Sequence, residues 1–258
     1  MAKKAVKVAT AVVGAVIALL VAEALVVLSR DYVKDGGGRR TSGRFGDSDL
    51  PPLHLAVLGD STAVGLGADF EDSYPWRLSQ RLGEFFSVRL DVLGASGAKT
   101  SDVAESQLRR AIEMKPDLVL VAIGANDATH MTMIRNVRKH MGTVLDRLAE
   151  AGIDTVVAGP PHMGTSRAFP QPLRALSGIN GKRVGAAIRK ETLRRGLPFI
   201  DLSVTAPAFK DEPQKHYSPD MFHPGPRGYE VWADAMFPAV REAALKAAEK
   251  AKQPSPQR

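Results

Sequence analysis

Four short clusters of polar residues contain the side chains that could carry out chemistry. Gly-Asp-Ser at 59–61, Gly-Ala-Ser-Gly at 94–97 and Gly-Ala-Asn-Asp at 124–127 each follow an apolar run, and Asp220 precedes His223 by three positions near the end of the chain. Each cluster alone is a common turn sequence, because Asp, Asn and Ser readily bond nearby backbone. Together they supply a hydroxyl, an imidazole and a carboxylate, the set that acyl transfer requires.

The residue types predict a role for each group. A serine hydroxyl such as that of Ser61 is a weak nucleophile until a base takes its proton. His223 is the candidate base, since histidine is the side chain that ordinarily changes charge near neutral pH. Asp220 is the candidate that bonds the imidazole, fixes its tautomer and stabilises its cation. Activity should therefore fall as the pH drops through the ordinary pKa of histidine, about 6.5.

The elements that must position these residues alternate between strands and helices. Strand patterns occupy 53–58, 88–93, 118–123, 154–158 and 197–202, and helical patterns occupy 75–86, 100–114, a stretch from 134 to 148, 174–195 and a stretch from 226 onward. Such alternation predicts an α/β domain with a mostly parallel five-stranded sheet that helices cover on both faces. Ligands in such folds bind outside the carboxyl ends of the strands, which is where three of the four clusters fall.

The clusters, in this order and at these positions, resemble the SGNH hydrolases, also called GDSL esterases and lipases, over roughly 53–240. The resemblance implies a three-layer α/β/α sandwich of flavodoxin-like type and a serine carboxylester hydrolase that works through an acyl-enzyme without a cofactor. It also implies an oxyanion hole formed by the backbone amides of Ser61 and Gly97 and the side chain of Asn126. Val92 stands where relatives often have an asparagine, which alters a supporting contact.

Several functional alternatives remain open at this level. The substrate of a hydrolase would be a short acyl ester, a lipid ester or an ester of the cell envelope. An acyltransferase would form the same acyl-enzyme, and a non-catalytic envelope-binding module would keep the same fold. No metal site is predicted, because the remaining histidines show no ligand spacing with one another or with carboxylates.

The amino terminus predicts a membrane segment over 1–30. Three lysines precede an apolar run over 8–28 that contains one charged residue, Glu23. About 20 apolar residues can cross a bilayer as a helix, so the run predicts an anchor. A signal peptide cut after Ala24 is the alternative, because Ala-Glu-Ala at 22–24 fits the small-x-small pattern. Basic residues lie on both sides of the run, so the positive-inside rule gives no orientation. The short tail before the run and its similarity to a signal sequence predict a domain outside the cytoplasm, anchored to the membrane or, after cleavage, secreted.

The composition argues against nucleic-acid binding and excludes cysteine chemistry. The formal net charge is +7, but the basic residues are dispersed, so nucleic-acid binding is not expected. The chain has no cysteine, which excludes disulfides and a thiol nucleophile.

The chain divides into three further segments after the membrane segment. A Gly- and Arg-rich linker is predicted over 31–50, the hydrolase domain over 51–249 and a loose tail over 250–258.

Overall fold

A computed structural model describes residues 2–28 and 41–252 of the chain. The strands are Ser42–Phe45 (β1), Pro52–Gly59 (β2), Ser87–Val92 (β3), Leu118–Ala122 (β4), Asp154–Ala158 (β5) and Phe199–Ile200 (β6). The helices are Ala2–Leu28 (α1), Tyr74–Leu82 (α2), Thr100–Asp102 (α3), Leu108–Met114 (α4), Ala125–Thr129 (α5), Ile134–Glu150 (α6), Leu173–Leu193 (α7), Ala206–Asp211 (α8), Pro213–His216 (α9) and Pro226–Lys252 (α10). A π-helical turn, Val103–Gln107, joins α3 to α4.

The sheet has six strands in the order β1-β3-β2-β4-β5-β6. The five predicted strands are parallel to one another, which confirms the flavodoxin-like arrangement. The count of five was one too low, because Ser42–Phe45 pairs antiparallel with β3 at the edge of the sheet. This strand lies inside the segment 31–50 that was predicted to be a linker. Its four residues, Ser-Gly-Arg-Phe, show no clear alternation of apolar residues, so only pairing with β3 makes them a strand.

Two apolar cores cover the two faces of the sheet, as a parallel sheet requires. Leu53, Leu55 and Val57 of β2 point into the core that α2 and α10 cover. Ala56 and Leu58 of the same strand point into the core formed with α4, α6 and α7. The alternation follows from the two-residue period of a strand, and it makes β2 buried from Leu55 to Gly59. The domain is therefore a three-layer α/β/α sandwich whose central strand leads directly into Ser61.

The ends of the chain differ from the prediction in one respect. Helix α10 begins at Pro226, as expected for a first helical position, but it runs to Lys252 and so takes in the start of the predicted tail at 250–258. The remainder of that tail, residues 31–40 of the predicted linker and residues 29 and 30 of the predicted membrane segment lie outside the described residues. Within the described part, Lys3–Glu23 of α1 is long and apolar enough to cross a membrane, with a mean hydropathy of 2.4.

Candidate active site

The structure brings Ser61, His223 and Asp220 into one hydrogen-bonded row, although 162 positions separate the serine from the histidine. Ser61 follows the carboxyl end of β2, and the other two residues lie in the loop before α10. The Nε2 atom of His223 is 3.1 Å from the Ser61 hydroxyl. Its Nδ1 atom is 2.7 Å from Oδ2 of Asp220. All three side chains are nearly inaccessible to solvent, so little bulk water competes for these bonds.

The Asp220 carboxylate is held as an anion by its own loop. Its Oδ1 atom accepts hydrogen bonds from the amides of Phe222 and His223, at 2.8 and 2.9 Å, and from the Ser218 hydroxyl at 2.7 Å. Burial raises the pKa of Asp220, but the hydrogen bonds and charge of His223 and these amides outweigh it and hold the pKa well below its usual range. An ionised Asp220 can only accept hydrogen bonds, so the neutral imidazole of His223 must carry its proton on Nδ1. The lone pair of Nε2 then faces Ser61.

A second pair of contacts joins the loop of Gly97 to the start of α5. The side-chain amide of Asn126 donates to the carbonyl of Ala98 at 3.0 Å. The next residue, Asp127, is fully buried and accepts from both the amide and the hydroxyl of Thr100 at 2.9 Å. Gly97, which immediately precedes these two contacts, has φ +77°, a left-handed conformation that glycine adopts without strain. Asp127 therefore fixes the loop by bonding Thr100, 27 positions away, and not the backbone of its own turn.

The three predicted oxyanion donors do not lie equally close to the cleft. Ser61 and Asn126 both line it, whereas Gly97 is exposed beside it and is not among the lining residues. Within the part of the chain that the structure describes, the backbone amides of Ser61 and Gly97 donate to no protein acceptor. For Ser61, which is 5% exposed, such an unused buried donor is uncommon.

Asp60, the acid of Gly-Asp-Ser, supports the turn rather than facing the imidazole as a hydrogen-bond partner. Its Oδ1 atom accepts from the amide of Thr62 at 2.9 Å and from the Thr62 hydroxyl at 2.7 Å. Burial raises the pKa of Asp60, and these two hydrogen bonds act in the opposite direction. The hydrogen bonds between Asp60 and Thr62 therefore stabilise one side of the turn that carries Ser61.

Sequence reasoning missed Gln107, which holds the other side of that turn. Its side-chain amide is buried, accepts from the Gly59 amide at 2.9 Å and donates to the Gly59 carbonyl at 2.8 Å. These two hydrogen bonds take the place of those that a neighbouring strand would make with Gly59. Gly59 is the last residue of β2 and lies two positions before Ser61. The signal in the sequence was a glutamine one helical turn from Val103, on the apolar stripe of the predicted helix 100–114.

Tyr229, six positions after His223, makes a specific contact with the loop that follows Ser61. Its hydroxyl is fully buried and donates to the Leu66 carbonyl at 2.5 Å. Gly67, at φ +97°, lies so close that a Cβ atom there would be 2.4 Å from the Pro224 carbonyl and 2.9 Å from the His223 Cβ. The loop after Ser61 and the loop of His223 therefore pack against each other without room for a side chain.

The cleft over Ser61 encloses about 40 Å³ and is lined mainly by apolar side chains. Met163, from the loop before α7, and Phe209 and Tyr217, from the segment before α10, form part of its wall. The Tyr217 hydroxyl pairs with the Thr165 hydroxyl at 2.7 Å, and burial raises its pKa to about 12. Among the described residues, no group of three or more His, Cys, Asp or Glu side chains is placed to hold a metal ion.

The three-layer α/β/α fold and a hydrogen-bonded row of Ser, His and Asp at the carboxyl edge of its sheet are typical of serine hydrolases. Comparison with known proteins agrees: the GDSL-like lipase/acylhydrolase family matches residues 57–231, and the chain belongs to that family. It is 32% identical over 196 residues to a GDSL-like esterase of Mycobacterium tuberculosis. The aligned region covers 74% of this chain and 62% of that protein. It is 28% identical over 117 residues to an arylesterase of Vibrio mimicus, over 43% of this chain and 57% of that protein. The chain thus spans less than two thirds of either curated relative.

Solved structures support the fold. An alpha/beta hydrolase enzyme from the metagenome of Lake Arreo superimposes with a TM-score of 0.61 at 21% identity, over 74% of this chain and 96% of that one. A lipase/acylhydrolase from Enterococcus faecalis gives a TM-score of 0.59 at 18% identity, over 74% and 96% of the two chains. At these identities the likeness extends to the architecture alone.

Proposed function

We propose that the chain is a serine carboxylester hydrolase in which Ser61 is the nucleophile, His223 the base and Asp220 the residue that orients the base. The observation that carries the proposal is the continuous row from the Ser61 hydroxyl through both imidazole nitrogens to Oδ2 of Asp220. Ser61 Oγ attacks the ester carbonyl carbon while its proton passes to Nε2. The tetrahedral intermediate then breaks its C–O bond to the alcohol, which leaves with that proton.

Hydrolysis of the acyl-enzyme repeats the same steps with water. His223 takes a proton from a water molecule as the oxygen attacks the acyl carbon. The bond to Ser61 Oγ then breaks, the serine regains its proton from Nε2 and the carboxylic acid departs. Throughout, Asp220 stays ionised and stabilises the imidazolium, because the hydrogen bonds of its loop already favour the charged form.

The oxyanion that forms at each step requires donors held in place beforehand. The unused amide of Ser61 and the side-chain amide of Asn126 line the cleft and suit this role. Asn126 keeps one N–H on the Ala98 carbonyl, which orients the amide and leaves its second hydrogen for the substrate. The amide of Gly97 is proposed as the third donor on the resemblance to the family, with its loop supported by Asp127.

The size of the cleft favours a short acyl group. The space that the centre of a water-sized group can reach inside it is small, about 40 Å³. Apolar walls from Met163, Phe209 and Phe222 suit an acetyl to butyryl chain and offer no charged partner for a long polar acyl group. The M. tuberculosis and V. mimicus relatives are named as esterases, which supports ester hydrolysis without naming this substrate.

The proposed location is the outer side of a membrane, with Lys3–Glu23 as the anchor. A signal sequence at the amino terminus would satisfy the same length and composition, and cleavage would then release a secreted esterase. Measurement of the mature amino terminus separates the two, because cleavage after Ala24 removes the span entirely.

The direct test is hydrolysis of 4-nitrophenyl esters from acetate to palmitate by the full chain in detergent. Ser61→Ala should lose activity by about 10⁴-fold or more while keeping its melting temperature. Ser48→Ala, an exposed serine far from the cleft, is the matched control and should behave as the parent. We expect the acetate or butyrate ester to be cleaved fastest.

Two further results would decide between related chemistries. Formation of a new ester when a simple alcohol is added, at the expense of free acid, would identify an acyltransferase instead of a hydrolase. If Ser61→Ala retained the parent rate, or if the folded parent cleaved no ester and took up no fluorophosphonate label on Ser61, the serine mechanism would be rejected.

A further inference from the structure

Four large apolar side chains are exposed at the edge of the sheet where the cleft opens. Met131 and Met133, between α5 and α6, are 48% and 54% exposed. Leu176 and Ile179, in the first two turns of α7, are 37% and 52% exposed. Both helices begin after the carboxyl end of a parallel strand, so their first turns lie at the same edge as Ser61. We call these four residues the apolar patch.

The two halves of the apolar patch are held close together. The side chain of Asn180, next to Ile179, donates to the Ala128 carbonyl at 2.8 Å, three residues before Met131. None of the patch residues lines the cleft. An apolar surface that is exposed at the rim of an active site, and plays no part in lining it, is typical of a site of contact with another phase or molecule.

The surroundings of the apolar patch are positively charged. The segments 128–145 and 159–190, which contain it, include no Asp or Glu. Arg135, Arg167, Lys182 and Arg183 are exposed there. Exposed apolar side chains and exposed cations on the same segments complement the interface of a bilayer with anionic headgroups, because the cations meet phosphates while the apolar groups enter the acyl boundary.

The chain enters the domain at this same edge. The Thr41 carbonyl accepts from the amide of Val92, the last residue of β3, at 2.7 Å. The chain therefore enters the domain at the carboxyl edge of the sheet, the edge that carries the cleft. Between Leu28 and Thr41, even a fully extended chain spans ~45 Å at most. An anchor at α1 thus keeps this edge within reach of the bilayer surface.

A direct contact supports the same orientation. Glu23, at the end of the apolar span, is 5% exposed and accepts a hydrogen bond from the Leu173 amide at 3.0 Å. Leu173 is the first residue of α7, where an unpaired amide and the helix dipole favour an anion. The end of the span therefore meets the turn of α7 that precedes Leu176, a member of the apolar patch.

We infer that the apolar patch rests on the headgroup region of an anionic bilayer, so that the cleft takes short-acyl esters whose alcohol part is embedded in the membrane. The inference rests on the proposed anchoring by α1 and on the proposed esterase activity. Four features coincide at one edge of the sheet and carry the inference. They are the cleft, the apolar patch, the absence of acidic residues from the two basic segments that contain the patch, and the contacts of Thr41 and Glu23 with the domain.

The first test measures depth in the bilayer and does not depend on activity. The chain has no cysteine, so Ile179→Cys creates a single site for an environment-sensitive fluorophore. Glu150→Cys, at the end of α6 on the opposite edge, is the matched control, with a side chain that is 67% exposed. The full chain is reconstituted in vesicles of phosphatidylcholine with or without phosphatidylglycerol, and spin-labelled lipids serve as quenchers. We expect quenching of the probe at 179, stronger with phosphatidylglycerol, and none at 150.

The second test compares two fluorogenic acetates whose leaving groups are both umbelliferones. 4-Heptadecylumbelliferyl acetate is held in the bilayer, and 4-methylumbelliferyl acetate is soluble. The double variant Met133→Ser with Ile179→Ser should cleave the embedded ester about tenfold more slowly, since it loses the burial of two large apolar side chains. Its rate on the soluble ester should equal that of the parent. Leu193→Ser with Leu245→Ser, two exposed leucines away from this edge, should leave both rates unchanged.

The outcomes separate the docking surface from the esterase activity. An unquenched probe at 179, or equal slowing of both esters in the double variant, would overturn the docking. If the parent cleaves neither acetate while the probe at 179 is quenched, the proposed function fails and the docking stands. Probe fluorescence that rises with protein concentration in detergent, and is insensitive to lipid, would assign the apolar patch to a second copy of the chain and also overturn the inference.

Discussion

Replacement of Gln107 by leucine should both destabilise the domain and misplace the nucleophile. The Gln107 side chain makes two buried hydrogen bonds with Gly59, and the Gly59 carbonyl has one further partner, the Ala95 amide at 3.1 Å. Leucine would leave the Gly59 amide buried without an acceptor, while the carbonyl would keep one bond. An orphaned buried amide together with the lost bonds costs about 3 kcal/mol in the free energy of unfolding. For a domain of this size that corresponds to a fall of roughly 6–12 °C in the melting temperature.

The effect on catalysis follows from position. Gly59 is two residues before Ser61, and a displacement of about 1 Å at the nucleophile costs on the order of 100-fold in rate. We expect a ten- to hundredfold fall in kcat on 4-nitrophenyl acetate with KM little changed, because the acyl pocket does not involve Gln107. Arg110→Gln, an exposed residue on α4, is the control.

The assay is a melting curve by circular dichroism together with steady-state kinetics on the same preparation. A lower melting temperature with an unchanged kcat would refute the positioning argument and leave Gln107 with a structural role alone. An unchanged melting temperature would refute the hydrogen-bond reasoning itself.

Three other measurements follow from the site. Asn126→Ala should lower kcat about 100- to 1,000-fold, the usual loss for one oxyanion donor, with a small change in KM; an unchanged kcat would remove Asn126 from that role. Tyr229→Phe should lower the free energy of unfolding by about 1 kcal/mol, seen by urea denaturation, because the Leu66 carbonyl loses its partner. Because the pKa of Asp220 lies below its usual range, its carboxylate stays charged as the pH falls from 7 to about 4. Asp220 should therefore add no proton of its own to the loss of kcat/KM in that window, and a loss that follows two protons would contradict the hydrogen-bond reasoning for Asp220.

The residue types and their order were sufficient to predict the class of chemistry. Gly-Asp-Ser, Gly-Ala-Asn-Asp and the Asp220–His223 pair each stand where an apolar run ends or a helix begins, which is a local property of the chain. Strand and helix periods are local as well, so the five parallel strands and the long helices were predicted closely. The ends of these elements were less certain, as the extension of α10 to Lys252 illustrates.

The tertiary structure decided what depends on residues distant in sequence. Ser42–Phe45 becomes a strand only because β3 offers a free edge, and its own sequence gives little local preference for a strand. Gln107 looks like a misplaced polar residue on an apolar helical stripe until Gly59, 48 positions away, supplies its partners. The hydrogen bond of Tyr229 to Leu66 crosses 163 positions.

The same division holds for the active site. Which residues could act as nucleophile, base and orienting acid follows from side-chain chemistry, and that is written in the sequence. Whether the imidazole of His223 lies within hydrogen-bond reach of Ser61 depends on how two loops pack across the edge of the sheet, with Gly67 leaving the space between them. Side-chain chemistry is a property of single residues, whereas distance is a property of the packed chain, so the sequence determined the candidates and the fold determined their geometry.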